Sequence, residues 1–396
     1  MKREAVGLSG LAAFLFVWLL PTVTVKPNRV AEGVAHSLWS LVDGLLPIVV
    51  PLLAVFFLIT LLMFVPRLRR LLGVRLVLCA VAIPLFVALI VLGGSLALDR
   101  AAHEAGRTGP EIGWWLGVLG VYVLFYDARR RYLTGRSGAS RRLTGALTFF
   151  ILAAVGLMVV LLPIEVLGVV QEFANRSARF WEELGAHLVL SGASVAGALL
   201  IGVPLGMLAF RSRKAEQPVF TVTGGLQTIP SLALFGLMIA PLAFLSREVP
   251  LLRSLGVRGV GNAPAIIALT LYGLLPIVRN TFVGLKSIDF GVLDAGRGMG
   301  MTRGELLTLV QIPIALPIML TGLRITAVQT VGNAAVAALI GARGLGNFVF
   351  QGLGQAVPDL IVLGALPIVV LAVVVDRGMD RLIRALRPGP KEEETP

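Results

Sequence analysis

A few residues in the second half of the chain are of types that do not sit in hydrocarbon without a reason. Gln227, Thr228, Pro230, Ser231, Tyr272 and Asn333 lie within or at the ends of apolar runs. A polar group at membrane depth must find a partner or face a wet cavity, and Pro230 removes a backbone hydrogen bond and bends its helix. Two readings fit these residues. They line a route for a small solute, with Gln227 and the carbonyls freed by Pro230 as contact groups. Alternatively they pack helices, with Ser and Thr bonded back to carbonyls and Tyr272 and Asn333 joining neighbouring helices. Covalent chemistry has no comparable candidates. His36, His103 and His187 are scattered, and Cys79 is the single cysteine of the sequence, which excludes a disulfide framework and a Cys-based metal site. None of Lys2, Lys26, Lys214, Lys286 and Lys391 follows a glycine as a phosphate-binding loop requires. Between Glu183 and Asp289 the acids are Glu216 and Glu248, both in loops, and after Glu305 the next is Asp359. That excludes the acidic rings of a cation channel and the midplane carboxylate of an ion-coupled carrier.

The elements that carry these residues follow from composition. Of 396 residues 57% are hydrophobic and 14% charged, with a mean hydropathy of +0.89, where a soluble domain has about 25% charged residues. At roughly 20 apolar residues per span the length allows on the order of ten spans. The fold expected is an all-α integral membrane protein with about ten transmembrane helices, near 6–24, 45–65, 76–98, 113–126, 145–170, 187–210, 218–245, 263–285, 315–340 and 359–376. The net charge of +13 lies almost wholly in short loops, so it is topogenic and implies no nucleic-acid partner. Arg67, Arg69, Arg70 and Arg75 crowd one connection, Arg129 to Arg142 another, and Arg211, Arg213 and Lys214 a third. Placing these and both termini inside gives an N-in, C-in topology. Lys2-Arg3 before an apolar stretch also resembles a signal peptide, but the run reaches Val25 without a small-x-small cleavage site, which favours a retained helix.

Residues 1–180 read as about five extra helices with no site, residues 181–385 as the functional core, and 386–396 as a cytoplasmic tail. Within the core a long connection, 287–313, is neither span nor simple turn. Asp289 can cap a short helix over 290–299, and Thr302-x-x-Glu305 is a capping box opening a second. Gly298 and Gly300 separate them. Arg324 is the one full charge well inside a core span and is expected to snorkel to the cytoplasmic interface.

Asp294-Ala295-Gly296, three residues, Gly300, nine residues, then Val310-Gln311-Ile312-Pro313 resembles the EAA motif of ABC importer permeases, Glu-Ala-Ala, x3, Gly, x9, Ile-x-Leu-Pro, in order and spacing. It departs with Asp294 for Glu, Gly296 for the second Ala, and Val310 and Ile312 for Ile and Leu. His187-Leu-Val-Leu-Ser-Gly-Ala-Ser194, Gly202-Val-Pro-Leu-Gly206, Gln227-Thr-Ile-Pro-Ser-Leu-Ala-Leu-Phe-Gly236, Leu271 to Asn280 and Ala338 to Gly346 are similar to the osmoprotectant branch, the permeases for glycine betaine, choline and related solutes. Arg343 stands where that branch has Gly in a Gly-x-Gly-Gly-Leu-Gly loop.

The resemblance implies a type I importer permease with five core helices. Its ATPase-coupling element would be Asp294, Ala295, Gly296, Gly300, Val310, Ile312 and Pro313. It implies ABC ATPase subunits carrying ATP and Mg, so no cofactor in this chain and no enzyme activity of its own. It implies a periplasmic or lipid-anchored solute-binding protein, expected as a separate chain because little sequence follows the last span. It also implies a second permease copy, identical or different, and a small zwitterionic or quaternary ammonium solute, in the inner membrane. The rivals are a permease for another small solute, a self-sufficient secondary carrier and a non-transporting scaffold.

Overall fold

The computed structural model describes residues 16–29, 31–37, 72–100, 106–133, 138–254 and 256–386, with isolated positions 10, 40, 51, 54 and 58. Most of the expected span 45–65, the arginines at 67–70 and the tail beyond 386 lie outside the described residues. The chain divides into two compact units, Met1–Asn175 and Arg176–Pro396.

The first unit is not all-α. Strands β1 (Pro21–Lys26), β2 (Val34–Ser37) and β3 (Arg107–Pro110) form an antiparallel sheet in the order β2-β1-β3. The expected helix 6–24 therefore ends before its predicted limit. Pro21 has no N–H for a helical bond, and Thr22-Val23-Thr24-Val25 are all β-branched, which favours the extended chain. Val23 and Val25 join Val17 and Cys79 in a buried core with Leu98 and Leu124, so the lone cysteine is a packing residue. Among the described residues its α-helices include α1 (Leu72–Arg100), α2 (Ile112–Leu133), α3 (Gly138–Leu161) and α4 (Gly168–Asn175). Glu172 on α4 is almost fully buried and meets Arg107 Nη1 at 2.9 Å and Arg29 Nε at 2.7 Å, which satisfies a carboxylate that burial would otherwise penalise.

The second unit runs α5 (Ser177–Arg211), α6 (Arg213–Thr228), α7 (Ser231–Glu248), α8 (Pro250–Ser254) and α9 (Asn262–Lys286). It continues with α10 (Phe290–Gly298), one helical turn at Arg303–Glu305, a π-helical turn at Leu306–Gln311, and α11 (Ile312–Asn333). A 3-10 turn at Val336–Ile340, α12 (Gly346–Gly354) and α13 (Pro358–Leu386) complete it. Among the described residues, five segments here are long and apolar enough to cross a membrane: Ser177–Arg211, Ser231–Glu248, Asn262–Lys286, Arg303–Asn333 and Pro358–Leu386. The expected span 218–245 is not one helix. Helix α6 ends at Thr228, Ile229 is extended (ψ 126°) and α7 restarts at Ser231, because Pro230 disfavours helix at the residue before it.

Helix α9 is the centre of this bundle. A Cβ on Gly197, Gly202 or Gly206 of α5 would lie 2.7–2.9 Å from Thr270, Ile277, Val278 or Thr281 of α9, so the two helices run parallel with backbones in near contact. Against α11, a Cβ on Gly273 would lie 2.7 Å from Thr326, and also 2.9 Å from Ala198 of α5, and one on Gly322 of α11 would lie 2.6 Å from the Pro276 carbonyl, so α11 runs antiparallel to α9. Gly202-x-x-x-Gly206 is therefore a helix-packing face. Thr270 donates to the Ser194 carbonyl at 3.2 Å and Thr326 to the Gly273 carbonyl at 3.1 Å, tying both seams.

Gly322→Ala should destabilise the purified protein by about 1–3 kcal/mol, because the new methyl meets a backbone carbonyl that cannot swing aside. Gly378→Ala on α13, where nothing lies within 4 Å, should be neutral or stabilising by up to about 1 kcal/mol. Melting in detergent compares the two; equal Tm values would contradict the close seam.

Candidate functional site

The connection between α9 and α11 is built by local rules. Asp289 caps α10, its Oδ1 accepting from Gly291 N at 2.7 Å. At the other end, Met301 N donates to Gly296 O at 3.1 Å and Gly300 N to Arg297 O at 2.9 Å, with Gly300 at φ +83°. These are the paired bonds of a Schellman stop, whose left-handed residue favours glycine. The chain then re-enters helix through the expected capping box: Glu305 N donates to Thr302 Oγ1 at 3.3 Å and Thr302 N to Glu305 Oε2 at 2.8 Å. Gly298 is the last residue of α10 and Gly300 alone makes the turn.

The motif residues divide between holding this element and exposing it. Gly296 is buried, and a Cβ there would be 2.6 Å from Leu306 Cδ1, so a side chain at this position must displace the leucine that packs α10 onto the π turn. Asp294, Ala295, Gly300 and Pro313 are exposed, and Val310 and Ile312 half-buried. Phe290 and Met299 show 68% and 73% of their surface and Val292 41%. Val292 and Met299 share one side of α10 and Phe290 lies on the other, under the Arg297 guanidinium at 5.8 Å, and exposed large apolar side chains on a short connection are of the kind that mark a docking surface.

The polar residues read as pathway candidates come together in part. Gln227 Nε2 donates to the Tyr272 carbonyl at 2.9 Å, and the Tyr272 hydroxyl donates to the Ile229 carbonyl. The carbonyl at the α6–α7 break is thus taken by Tyr272, itself buried in a core with Leu234, Phe235 and Ala337. Thr228 bonds back to Gly225 O at 2.8 Å, Ser231 begins α7 half-buried, and Pro230 is exposed at the break. Asn333 ends α11, half-buried. Gln227 and Tyr272 therefore act on the fold first, clasping the break to α9.

A second cluster lies at the end of the bundle remote from the connection, and sequence reading missed it. Buried Glu183 on α5 accepts from Gly344 N at 2.6 Å and Asn347 Nδ2 at 2.9 Å, and exposed Glu182 pairs with Arg343 at 2.8 Å. Gly261 N donates to Ile340 O at 2.8 Å and Arg343 N to Asn262 Oδ1 at 2.9 Å. The segment 340–347 is thereby strapped to α5 and the start of α9. Beneath it, His187 Nε2 meets Val331 O at 3.1 Å while His187 Nδ1 and Ser191 Oγ, both buried, have no hydrogen-bond partner among the described residues. Gly341 (φ +80°) and Gly344 (φ +153°) need their glycines, whereas Arg343 does not. Adjacent acids Glu182-Glu183 in the second turn of α5, and Arg343 in place of a glycine, were the available signals.

Comparisons with known proteins divide the chain between residues 162 and 198, the interval that holds the boundary of the two compact units. Residues 198–388 match the family described as the binding-protein-dependent transport system inner membrane component, and residues 2–162 match the N-terminal domain of the ABC transporter permease YehY. The carnitine transport permease protein OpuCB of Listeria monocytogenes is 43% identical over 202 residues, 51% of this chain and 85% of that protein. The osmoprotectant import permease protein OsmW of Salmonella typhimurium is 44% identical over 202 residues, 51% of this chain and 89% of that protein. A structure of the MetNI methionine ABC transporter in an inward-facing conformation aligns at 25% identity and a TM-score of 0.46, covering 52% of this chain and 96% of that one.

Thr302→Ala should cost the short helix about 1 kcal/mol, read as faster amide hydrogen exchange over 303–307 with exchange in α9 unchanged. Unchanged exchange at both would contradict the capping box as the element that holds this turn.

Proposed function

The chain belongs to the binding-protein-dependent inner-membrane permeases of ABC transporters, a multi-pass membrane subunit and not itself an enzyme, and from that premise we propose that it translocates glycine betaine or a related osmoprotectant. The observation that carries the coupling part of this reading is the capped, two-helix connection 287–313 with Phe290, Val292 and Met299 exposed on it. Asp294, Ala295, Gly296, Gly300, Val310, Ile312 and Pro313 would form the contact with the ATPase, the exposed residues meeting its surface and Gly296 and Gly300 setting the angle between the two helices. ATP and Mg belong to that partner. The names of OpuCB and OsmW support a carnitine- or betaine-like solute, and walls without a free carboxylate among Gln227, Thr228, Ser231, Tyr272 and Asn333 suit a zwitterion or quaternary ammonium. A separate solute-binding protein would deliver it, and a second permease chain, identical or not, would complete the pathway.

About ten helices with both termini inside, of which 181–385 are the permease core and 1–180 an N-terminal addition, account for the charge pattern. In this topology the connection 287–313 is cytoplasmic, and the strapped end at Glu183 and Gly344 faces outward. A permease for another small solute remains the nearest rival, and purified binding protein tested with several zwitterions separates the two.

Gly300→Glu is expected to remain in the membrane at near-normal abundance and to lose co-purification with the ATPase and uptake, whereas Gly300→Asn, which tolerates a left-handed backbone, should keep much of both. Normal uptake by Gly300→Glu would overturn the coupling assignment. Single cysteines in a Cys79→Ser background test the topology: Arg253→Cys should react with an impermeant reagent in intact cells and Thr302→Cys should not. The opposite pattern would invert the orientation.

A further inference from the structure

Arg324 does not snorkel alone. Its guanidinium forms a two-pronged pair with Asp376 on α13, Nε to Oδ1 at 2.6 Å and Nη2 to Oδ2 at 2.8 Å, and its third nitrogen reaches Asp380 Oδ1 at 3.2 Å. Asp380 is held in turn by Arg384 Nη2 at 2.7 Å from its other oxygen. Asp376, Asp380 and Arg384 are spaced i, i+4, i+8, one face of α13 turned to a single arginine on α11. The fork geometry of a guanidinium against a carboxylate fixes two helices in register as well as attracting them.

What α11 is joined to gives this pair its meaning. Its N-terminal end continues from the π turn and the capped connection, and Arg324 lies 12 residues, about 18 Å, further along the same helix. Against α9, α11 makes contacts of small residues, Gly322 on Pro276 and Ala315 on Gly284, which depend on area and closeness more than on one fixed pair of side chains. Against α13 it carries a directional charged fork. The side chains of Arg324, Asp376 and Asp380 are each about a third exposed, so the fork adds little to stability and much to register.

We propose that Arg324, Asp376 and Asp380 are positioning residues for transport: the fork makes α13 follow α11 when the ATPase moves the connection 287–313, so that hydrolysis and solute movement stay in step. This rests on the reading of 287–313 as the ATPase contact. The expected consequence of breaking the fork is a permease that still binds and stimulates its ATPase but moves less solute for each ATP.

The test uses the full permease with its ATPase and binding protein in proteoliposomes, measuring uptake of labelled glycine betaine and ATP hydrolysis on the same vesicles so that the ratio does not depend on how much protein inserts. Arg324→Gln and Asp376→Asn should each lower solute transported per ATP by about fivefold or more, with ATPase co-purification unchanged. Arg324→Lys, which keeps the charge without the fork, should fall between. The double variant Arg324→Gln with Asp376→Asn should be no worse than either single, because both remove one interaction. A ratio equal to wild type in all variants, or single effects that simply add, overturns the proposal, as does a loss confined to abundance or melting temperature. If the unaltered assembly shows no hydrolysis stimulated by the binding protein, the reading of the connection fails instead, and the two failures are told apart.

Discussion

The core of this protein depends on backbone-to-backbone contact along α9. In a bilayer apolar side chains gain nothing by leaving lipid for protein, so helices associate by close packing and a few hydrogen bonds. Gly197, Gly202 and Gly206 toward α5, Gly322 toward α11, and Gly273 between the two let both helices approach α9 to distances at which a methyl group would clash. Because α9 leads into the connection 287–313 and α11 leads out of it, the same seams set where that connection stands and how it is joined to the membrane helices.

The connection itself was legible in the sequence because its structure is local. Asp289, Thr302, Glu305 and Gly300 each satisfy a backbone requirement within a few residues, and each does so in the structure as its type and spacing imply. The π turn at Leu306–Gln311 was not legible, since no residue type marks it. Gly300 carries a more basic role than close approach to a partner: it is the left-handed residue of the helix stop, and any partner contact is built on that backbone.

Hydropathy failed where an apolar run was not a helix. Pro21–Lys26 follows the first apolar run with Val23 and Val25 alternating with Thr22 and Thr24, and the β-branched residues that turn it into a strand find their partners in β2 and, more than eighty residues on, in β3. The run over 218–245 breaks at Pro230, yet what holds the break is Tyr272 on another helix. Long-range partners decided the remaining cases. Gln227 and Tyr272 looked like pathway residues and are first a clasp on the fold; Arg324 looked like a solitary interfacial charge and meets two aspartates on α13; Glu183 drew no notice and pins the strap at 340–347. In each case residue type announced a polar group that needed a partner and left the partner unnamed.

An ATP-driven permease is the account that joins these features, and reconstitution tests it most directly. Purified permease is incorporated into proteoliposomes with and without its ATPase, and uptake of labelled glycine betaine is measured with binding protein outside and ATP inside. The account predicts accumulation only when ATPase, ATP and binding protein are all present. Uptake of the same size without the ATPase would contradict it and identify a self-sufficient carrier.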